Sequence, residues 1–395
     1  MKKVGVLTMY HQSINYGGLL QAYALCHFIN SLDGFCAEQI RYSSSSQGIH
    51  SKRMTKLKNI RPTEFIQKCF ALVENKTNRI ITRLLISKRL NIRANSIADF
   101  RNSIPHSKQI FNSENISDRE YDVIVAGSDR IWNPENETSP YYLGFVKGKK
   151  KISYAASLTT NTFTKSQISF LQKTLRDFYA ISVREKDSAK ALSSITDKNV
   201  KWVCDPVLLL NRLQWENLCT KEKENEEYIF CYFLGKDTLN RRLVSQFAKK
   251  TKLKIVTIPF ANNQFCKSDL NFGDKQLFDL SPQDFLSLIK HAKYVFTDSF
   301  HATMFSIIFN KQFFAMARNE MKGSGSRIES ITTFLAIENR FCSTKEQLSV
   351  SYLLNLRDID YANVNNVIEK FRDESREYLK QILCDNKQCE IGENN

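Results

Sequence analysis

The densest chemistry in this chain lies in one short run, Ser299-Phe300-His301, set between Tyr294-Val295-Phe296-Thr297 and the apolar residues Met304, Phe305, Ile307 and Ile308. An imidazole at His301 can donate a hydrogen bond or move a proton near neutral pH. The β-branched and aromatic stretch before it reads as a buried strand. The residues after it have helical spacing, and Ser299 falls where that helix would be capped. Ligands in open α/β sheets collect outside the carboxyl ends of strands. A helix beginning there offers unpaired N–H groups and a positive dipole end to an anion such as phosphate. A capped, packed helix start with a histidine of no special role is the competing reading.

The same strand-end rule selects further residues. Asn15 lies in the loop His11–Gly18 after a first strand over Lys2–Met9. Asp129 ends the strand run Glu120–Asp129 in a Gly-Ser-Asp turn, and Arg184 stands just past the strand Tyr179–Val183. Arg327 follows the glycine-rich loop Asn319–Ser326, expected to be mobile at the end of a strand over Gln312–Ala317. Each has a bland alternative. Asp129 can cap the next turn, Arg184 can pair with Glu185 or Asp187 on the surface, and Asn15 can serve only the Gly17-Gly18 turn. Arg327 is placed by its position alone. His27 falls on the apolar stripe of a helix over Leu19–Leu32 and reads as a core residue.

These positions need two α/β units. Strands and helices, with one strand over Lys151–Ser157, alternate regularly up to Asp205-Pro206, and a second alternating set begins at Tyr228. That pattern predicts parallel sheets with helices on both faces. The charged run Lys221–Glu227 suits a connection between domains. The expected organisation is a Rossmann-like domain over 1–220 and a second over 221–360, facing each other across a cleft. A C-terminal helix over 361–395 is expected to pack back on the first. All the selected strand ends would open onto that cleft.

Composition bounds the rest. A hydrophobic fraction of 42% and a charged fraction of 25% are those of a soluble globular protein, and 395 residues suffice for two full cores. The apolar part of the N-terminus is too short for a signal peptide, and no apolar run reaches spanning length. Ten cysteines without a C-x-x-C pair suit reduced thiols in a cytoplasmic protein, and no metal constellation is visible. The net charge is +16. Between His50 and Ile110, fourteen Lys/Arg meet three acids (Glu64, Glu74, Asp99), so the field is concentrated in a segment near 50–110. Such a field suits a phosphorylated substrate or an anionic membrane surface. Nucleic acid is disfavoured, because no recognition motif accompanies the charge. The segment reads as helices with faces at Phe65–Val73 and Ile80–Leu90. Packing on its own domain with a solvated basic face is preferred to lying on a membrane.

Six pieces, in order, resemble the polysaccharide pyruvyl transferase family: NYGGLLQAYAL (15–25), YDVIVAGSDRIWNP (121–134), SYAAS (153–157), ISVRE (181–185), CDPVLLL (204–210) and TDSFHATMFSIIFNKQFF (297–314). The resemblance implies a fold like the two-domain GT-B glycosyltransferases. It implies phosphoenolpyruvate as donor, two hydroxyls of a sugar as acceptor, a cyclic pyruvate ketal as product and no cofactor. The acceptor would be a surface polysaccharide or its lipid-linked precursor, handled in the cytoplasm at the inner face of the membrane. On this reading His301 acts as acid or steadies the departing phosphate. Asp129 accepts or orients a sugar hydroxyl proton, and Arg184 binds the donor carboxylate. Ser299 with the following amides holds the phosphate, Asn15 binds substrate, and Arg327 closes over the phosphate. Arg130 replaces the usual glutamine and Ala302 the usual glycine, the former adding charge near the cleft. Two alternatives stay open: a nucleotide-sugar glycosyltransferase of the same architecture, and a non-catalytic polysaccharide-assembly protein docking through its basic segment.

Overall fold

The computed structural model describes residues 1–43, 87–221, 226–261, 266–318 and 325–384. Their strands form three sheets in which every pairing is parallel. In the first, β1 (Lys2–Leu7), β2 (Phe35–Gln39), β3 (Val123–Ala126) and β5 (Lys150–Ser153) run in the order β2-β1-β3-β5. In the second, β4 (Asp129–Trp132), β6 (Ala156–Leu158), β7 (Ile181–Val183) and β8 (Val200–Trp202) run β4-β6-β7-β8. The two are stitched together. The Ser153 amide donates to Ala180 O at 3.1 Å, and Ser153 Oγ to Ser182 O at 3.1 Å.

The C-terminal sheet has six strands: β9 (Tyr228–Tyr232), β10 (Lys254–Thr257), β11 (Lys275–Gln276), β12 (Tyr294–Thr297), β13 (Gln312–Met316) and β14 (Phe341–Cys342). Their order is β11-β10-β9-β12-β13-β14. Strands β9 and β12 lie side by side near its middle and are almost wholly buried, as strands covered by helices on both faces must be.

Parallel strands need crossovers, and helices supply most of them. These are α1 (Tyr16–Asn30), α2 (residues 87–103), α3 (Lys165–Leu175), α4 (Lys186–Ser193), α5 (Arg212–Glu216), α6 (Thr238–Thr251), α7 (Pro282–His291), α8 (Phe300–Ile308), α9 (Ser326–Phe334), α10 (Val350–Asn355) and α11 (Tyr361–Leu383). The last returns to the N-terminal sheets. Ser375 Oγ accepts from the Cys204 amide at 3.0 Å, and Arg372 and Arg376 donate to the carbonyls of Leu208 and Leu209.

Four expectations change. The run Lys151–Ser157 is not one strand: Ala155, at φ 53°, breaks it into β5 and β6, which sit in different sheets. The Ser128-Asp129 turn instead opens β4, with Asp129 at φ 77°, a left-handed conformation its short polar side chain tolerates. His27 is exposed, its ring 5.3 Å from Tyr23, because α1 turns its only strongly wetted stripe outward there. Helix α2 does not pack solely on its own domain. Its Ile97 and Phe100 join the core around α1, while Leu90 packs with Phe260, Cys266 and Phe278 of the C-terminal half.

Arg93 on α2 is 1% exposed and donates to the carbonyls of Pro259, Phe260 and Phe278 at 2.6–3.2 Å. The faces expected at Phe65–Val73 and over residues 80–86, and the loop 319–324, lie outside the described residues. Among the described residues no helix is long and apolar enough to cross a membrane.

The two halves meet over a continuous floor. Tyr16, in the first turn of α1, stacks on Phe285 of α7 with ring centroids 5.0 Å apart, and its hydroxyl donates to Leu280 O at 2.9 Å. Such an aromatic pair contributes about 0.5–1.5 kcal/mol beyond its buried area.

Candidate functional site

Two helix N-termini converge above that floor. Helix α1 is capped by Asn15, whose side chain accepts from the Gly17 amide at 2.9 Å. Helix α8 is capped by Ser299, whose Oγ accepts from the Ala302 amide at 3.5 Å. Asp298 anchors the start of α8 by accepting from the amides of Leu234 and Gly235 at 2.7 and 2.8 Å, which fixes it to the end of β9. The helices approach closely because Gly17 has no side chain. A methyl group there would sit 2.3 Å from His301 Nδ1.

Asn15, Asp129, Ser299, His301 and Arg327 all line one cavity of about 530 Å³ between the halves, within the size range of ligand sites. Asp129 and Arg327 face each other, with 3.9 Å between Oδ1 and Nη1. Burial alone would raise the Asp129 carboxyl, but the positive groups of Arg184, His301 and Arg327 outweigh it and hold it below its ordinary value. It therefore stands ionised near neutral pH. Burial and the charge of Arg184 push Arg327 down to about 10.

Arg184 is the candidate that does not reach the cavity. It is 6% exposed and lies beneath Phe300, its guanidinium 4.6 Å from the ring centre. Its Nη1 donates to Asp205 Oδ2 at 2.7 Å and its Nε to Glu185 Oε1 at 3.0 Å, while Nη2 is buried without a partner. The expected fork for a substrate carboxylate is thus engaged by two acids of the protein. The Glu185 pair allowed for on the surface is present, but buried. An isolated charge at this depth would cost several kcal/mol, so the two carboxylates are what keep Arg184 there.

Three residues went unassigned in the sequence. Asp205, 3% exposed, follows β8 and puts Oδ2 3.6 Å from His301 Nε2, a nitrogen with no hydrogen-bond partner. Burial would raise its carboxyl, yet the imidazole of His301 and the guanidinium of Arg184 hold it well below the carboxylate range. Arg318, two residues past β13, lines the cavity, and its Nε is buried and unpartnered, 4.0 Å from Asp298 Oδ2. Phe300 lies between Arg184 and Arg327, whose guanidinium is 5.7 Å from its ring centre. The strand-end rule that found Arg184 also applies to Asp205 and Arg318.

With Arg130 the cavity lining holds three arginines against Asp129, a field for a multiply charged anion. Among the described residues no cluster of His, Cys, Asp and Glu could hold a metal ion.

Residues 15–320 match the sequence profile of the family described as Polysaccharide pyruvyl transferase. No curated protein matches the chain significantly in sequence. Among solved structures, the chain is similar to MnaA of S. aureus in its co-structure with UDP, with a TM-score of 0.52, 12% identity and 96% of this chain and 97% of that one covered. It is also similar to a putative UDP-N-acetylglucosamine 2-epimerase from Listeria monocytogenes, with a TM-score of 0.50, 10% identity and 100% and 97% covered. Such low identities speak to fold alone, and the fold is the GT-B type.

Proposed function

The chain belongs to the polysaccharide pyruvyl transferase family, and on that premise we propose that it transfers the enolpyruvyl group of phosphoenolpyruvate to two hydroxyls of a sugar. The product is a cyclic pyruvate ketal on a polysaccharide or its lipid-linked precursor, and inorganic phosphate leaves. One observation carries this reading. Three arginines, two helix N-termini and His301 converge on a single cavity bordered by the ionised Asp129. Phosphoenolpyruvate brings roughly three negative charges near neutral pH, which Arg130, Arg318 and Arg327 suit.

In this scheme Arg318 and Arg327 take the carboxylate and phosphate, with the α8 N-terminus at Ser299 beneath the phosphate and Asn15 on the opposite wall. His301 gives its proton to the methylene carbon, which becomes a methyl group, and positive charge develops at the adjoining carbon. The first sugar hydroxyl adds there as its proton passes to Asp129. The carbon–oxygen bond to phosphate then breaks, and the second hydroxyl closes the ketal. Two O–H bonds are lost in all. One proton ends on the new methyl group and one on phosphate. Arg184 and Asp205 act behind His301 rather than on the ligand.

Phosphate release from phosphoenolpyruvate, measured with and without a panel of galactosides, glucosides and N-acetylhexosamines, tests the proposal. Release that needs both a sugar and His301 is expected. Binding of a nucleoside diphosphate without binding of phosphoenolpyruvate would replace it with glycosyl transfer.

A further inference from the structure

A second cavity of about 600 Å³ adjoins the arginine-lined one, and Met9, Asp129, Asn136, Ser139 and Tyr141 line both. The two differ sharply in charge. Among the described residues, the second is lined by no lysine or arginine. Its lining is aromatic and neutral-polar instead, with Tyr42, Gln12, Ser13 and Thr138 beside the shared wall. His11 adds little charge, because burial and the neighbouring Arg101 and Arg41 lower its pKa below the ordinary value. Tyr42 and Tyr141 meet at 67° with ring centroids 6.3 Å apart, forming an aromatic corner.

Among the described residues of the lining, a small anion would find no lysine or arginine to pair with. A polyhydroxylated ring would find an aromatic face for its C–H surface and amide and hydroxyl groups for its oxygens. Asp129 is the one carboxylate in the lining, and it also borders the first cavity. We propose that the second cavity is the acceptor subsite, holding an uncharged sugar residue in the Tyr42–Tyr141 corner with one hydroxyl directed at Asp129. The transfer step rests on the pyruvyl-transfer reading. The sugar binding does not. The division of labour is then spatial: the anionic donor lies among the arginines, the neutral acceptor among the tyrosines, and the proton acceptor on the wall between them.

Saturation-transfer NMR with methyl galactoside, methyl glucoside and methyl N-acetylglucosaminide tests the site without any turnover. At least one should give a signal with the wild-type protein that falls tenfold or more in Tyr42→Ala. It should fall equally in Thr138→Trp, which fills the cavity from an exposed position and leaves the core untouched. Calorimetry with phosphoenolpyruvate should be unchanged in both variants. Sugar binding lost in both, even with no phosphate release from the wild type, supports the subsite while the proposed reaction fails. Signals that survive both substitutions, no signal from any of the three sugars, or displacement of the sugar by phosphoenolpyruvate would overturn it. So would normal transfer with an unchanged KM for the sugar in both variants, which would leave the reaction itself standing.

Discussion

His301 Nε2 and Asp205 Oδ2 stand 3.6 Å apart across the boundary between the two halves, and the same oxygen takes Arg184 Nη1 at 2.7 Å. One carboxylate thus faces both the candidate acid and the buried guanidinium. Asp205 couples the imidazole electrostatically to the buried guanidinium.

Asp205→Asn should therefore lower kcat by about 10²-fold or more, the scale of a lost acid–base contribution, while KM for phosphoenolpyruvate changes little. It should also destabilise the protein by about 3–5 kcal/mol, since it leaves Arg184 with one carboxylate at depth. Denaturant unfolding checks the second effect, and Asp205→Asn combined with Arg184→Leu should recover part of it. A loss confined to KM would show that Asp205 acts on the substrate and not through His301.

Acid should reveal the same group. The Asp205 carboxyl lies well below the carboxylate range in the folded protein, with His301 and Arg184 outweighing burial. A depressed folded pKa contributes stability that is complete above the unfolded value, about 3.9, and is lost as pH falls toward the folded one. The urea midpoint of the wild type should drop steeply below about pH 4, and that of Asp205→Asn should drop less. Parallel curves would remove Asp205 from the account.

Gly17→Ala should displace the His301 ring, because the added carbon would lie 2.3 Å from Nδ1. Overpacking of this kind costs about 1–3 kcal/mol, so the variant should still fold. Its kcat should fall while calorimetry with phosphoenolpyruvate still detects binding. Unaltered turnover would mean the ring position is immaterial.

Loss of Arg318 or Arg327 should weaken donor binding. A hydrogen bond to a charged group is worth about 1.5–3 kcal/mol, so Arg318→Ala and Arg327→Ala should each raise KM for phosphoenolpyruvate by roughly 10–100-fold. Arg327 adds a pH signature. Burial and Arg184 push it down to about 10, so its positive charge fades as pH rises through that value. KM for phosphoenolpyruvate should climb there in the wild type and stay level in Arg327→Ala.

The sequence made some of this legible and hid the rest for physical reasons. The strand–cap–helix pattern around Ser299 and His301 is local, so it could be read directly, and α8 begins one residue after Ser299. Arg184 was found by its place after a strand. Nothing near it in sequence reveals that Asp205 arrives to engage its guanidinium, because that pairing depends on how β7 and β8 lie side by side. Asp205 looked like punctuation before a proline for the same reason. The split of Lys151–Ser157 turns on a single φ at Ala155, where composition gives no warning. His27 matched a helical stripe, but α1 is buried around nearly its whole circumference, so periodicity could not say which side faced water.

Helix α11 has a consequence for motion. The chain leaves the N-terminal sheets after α5, builds the C-terminal sheet, and comes back to lay Arg372, Ser375 and Arg376 against residues 204–209. The C-terminal half is therefore hung from two separate crossings, with the Arg93 contacts to Pro259 and Phe278 as a third attachment. A body on one tether can swivel freely. One on two tethers pivots about the line that joins them, like a page on its spine. With the third attachment added, the pivot is held as well, and His301 and Asp205 keep one register across the boundary.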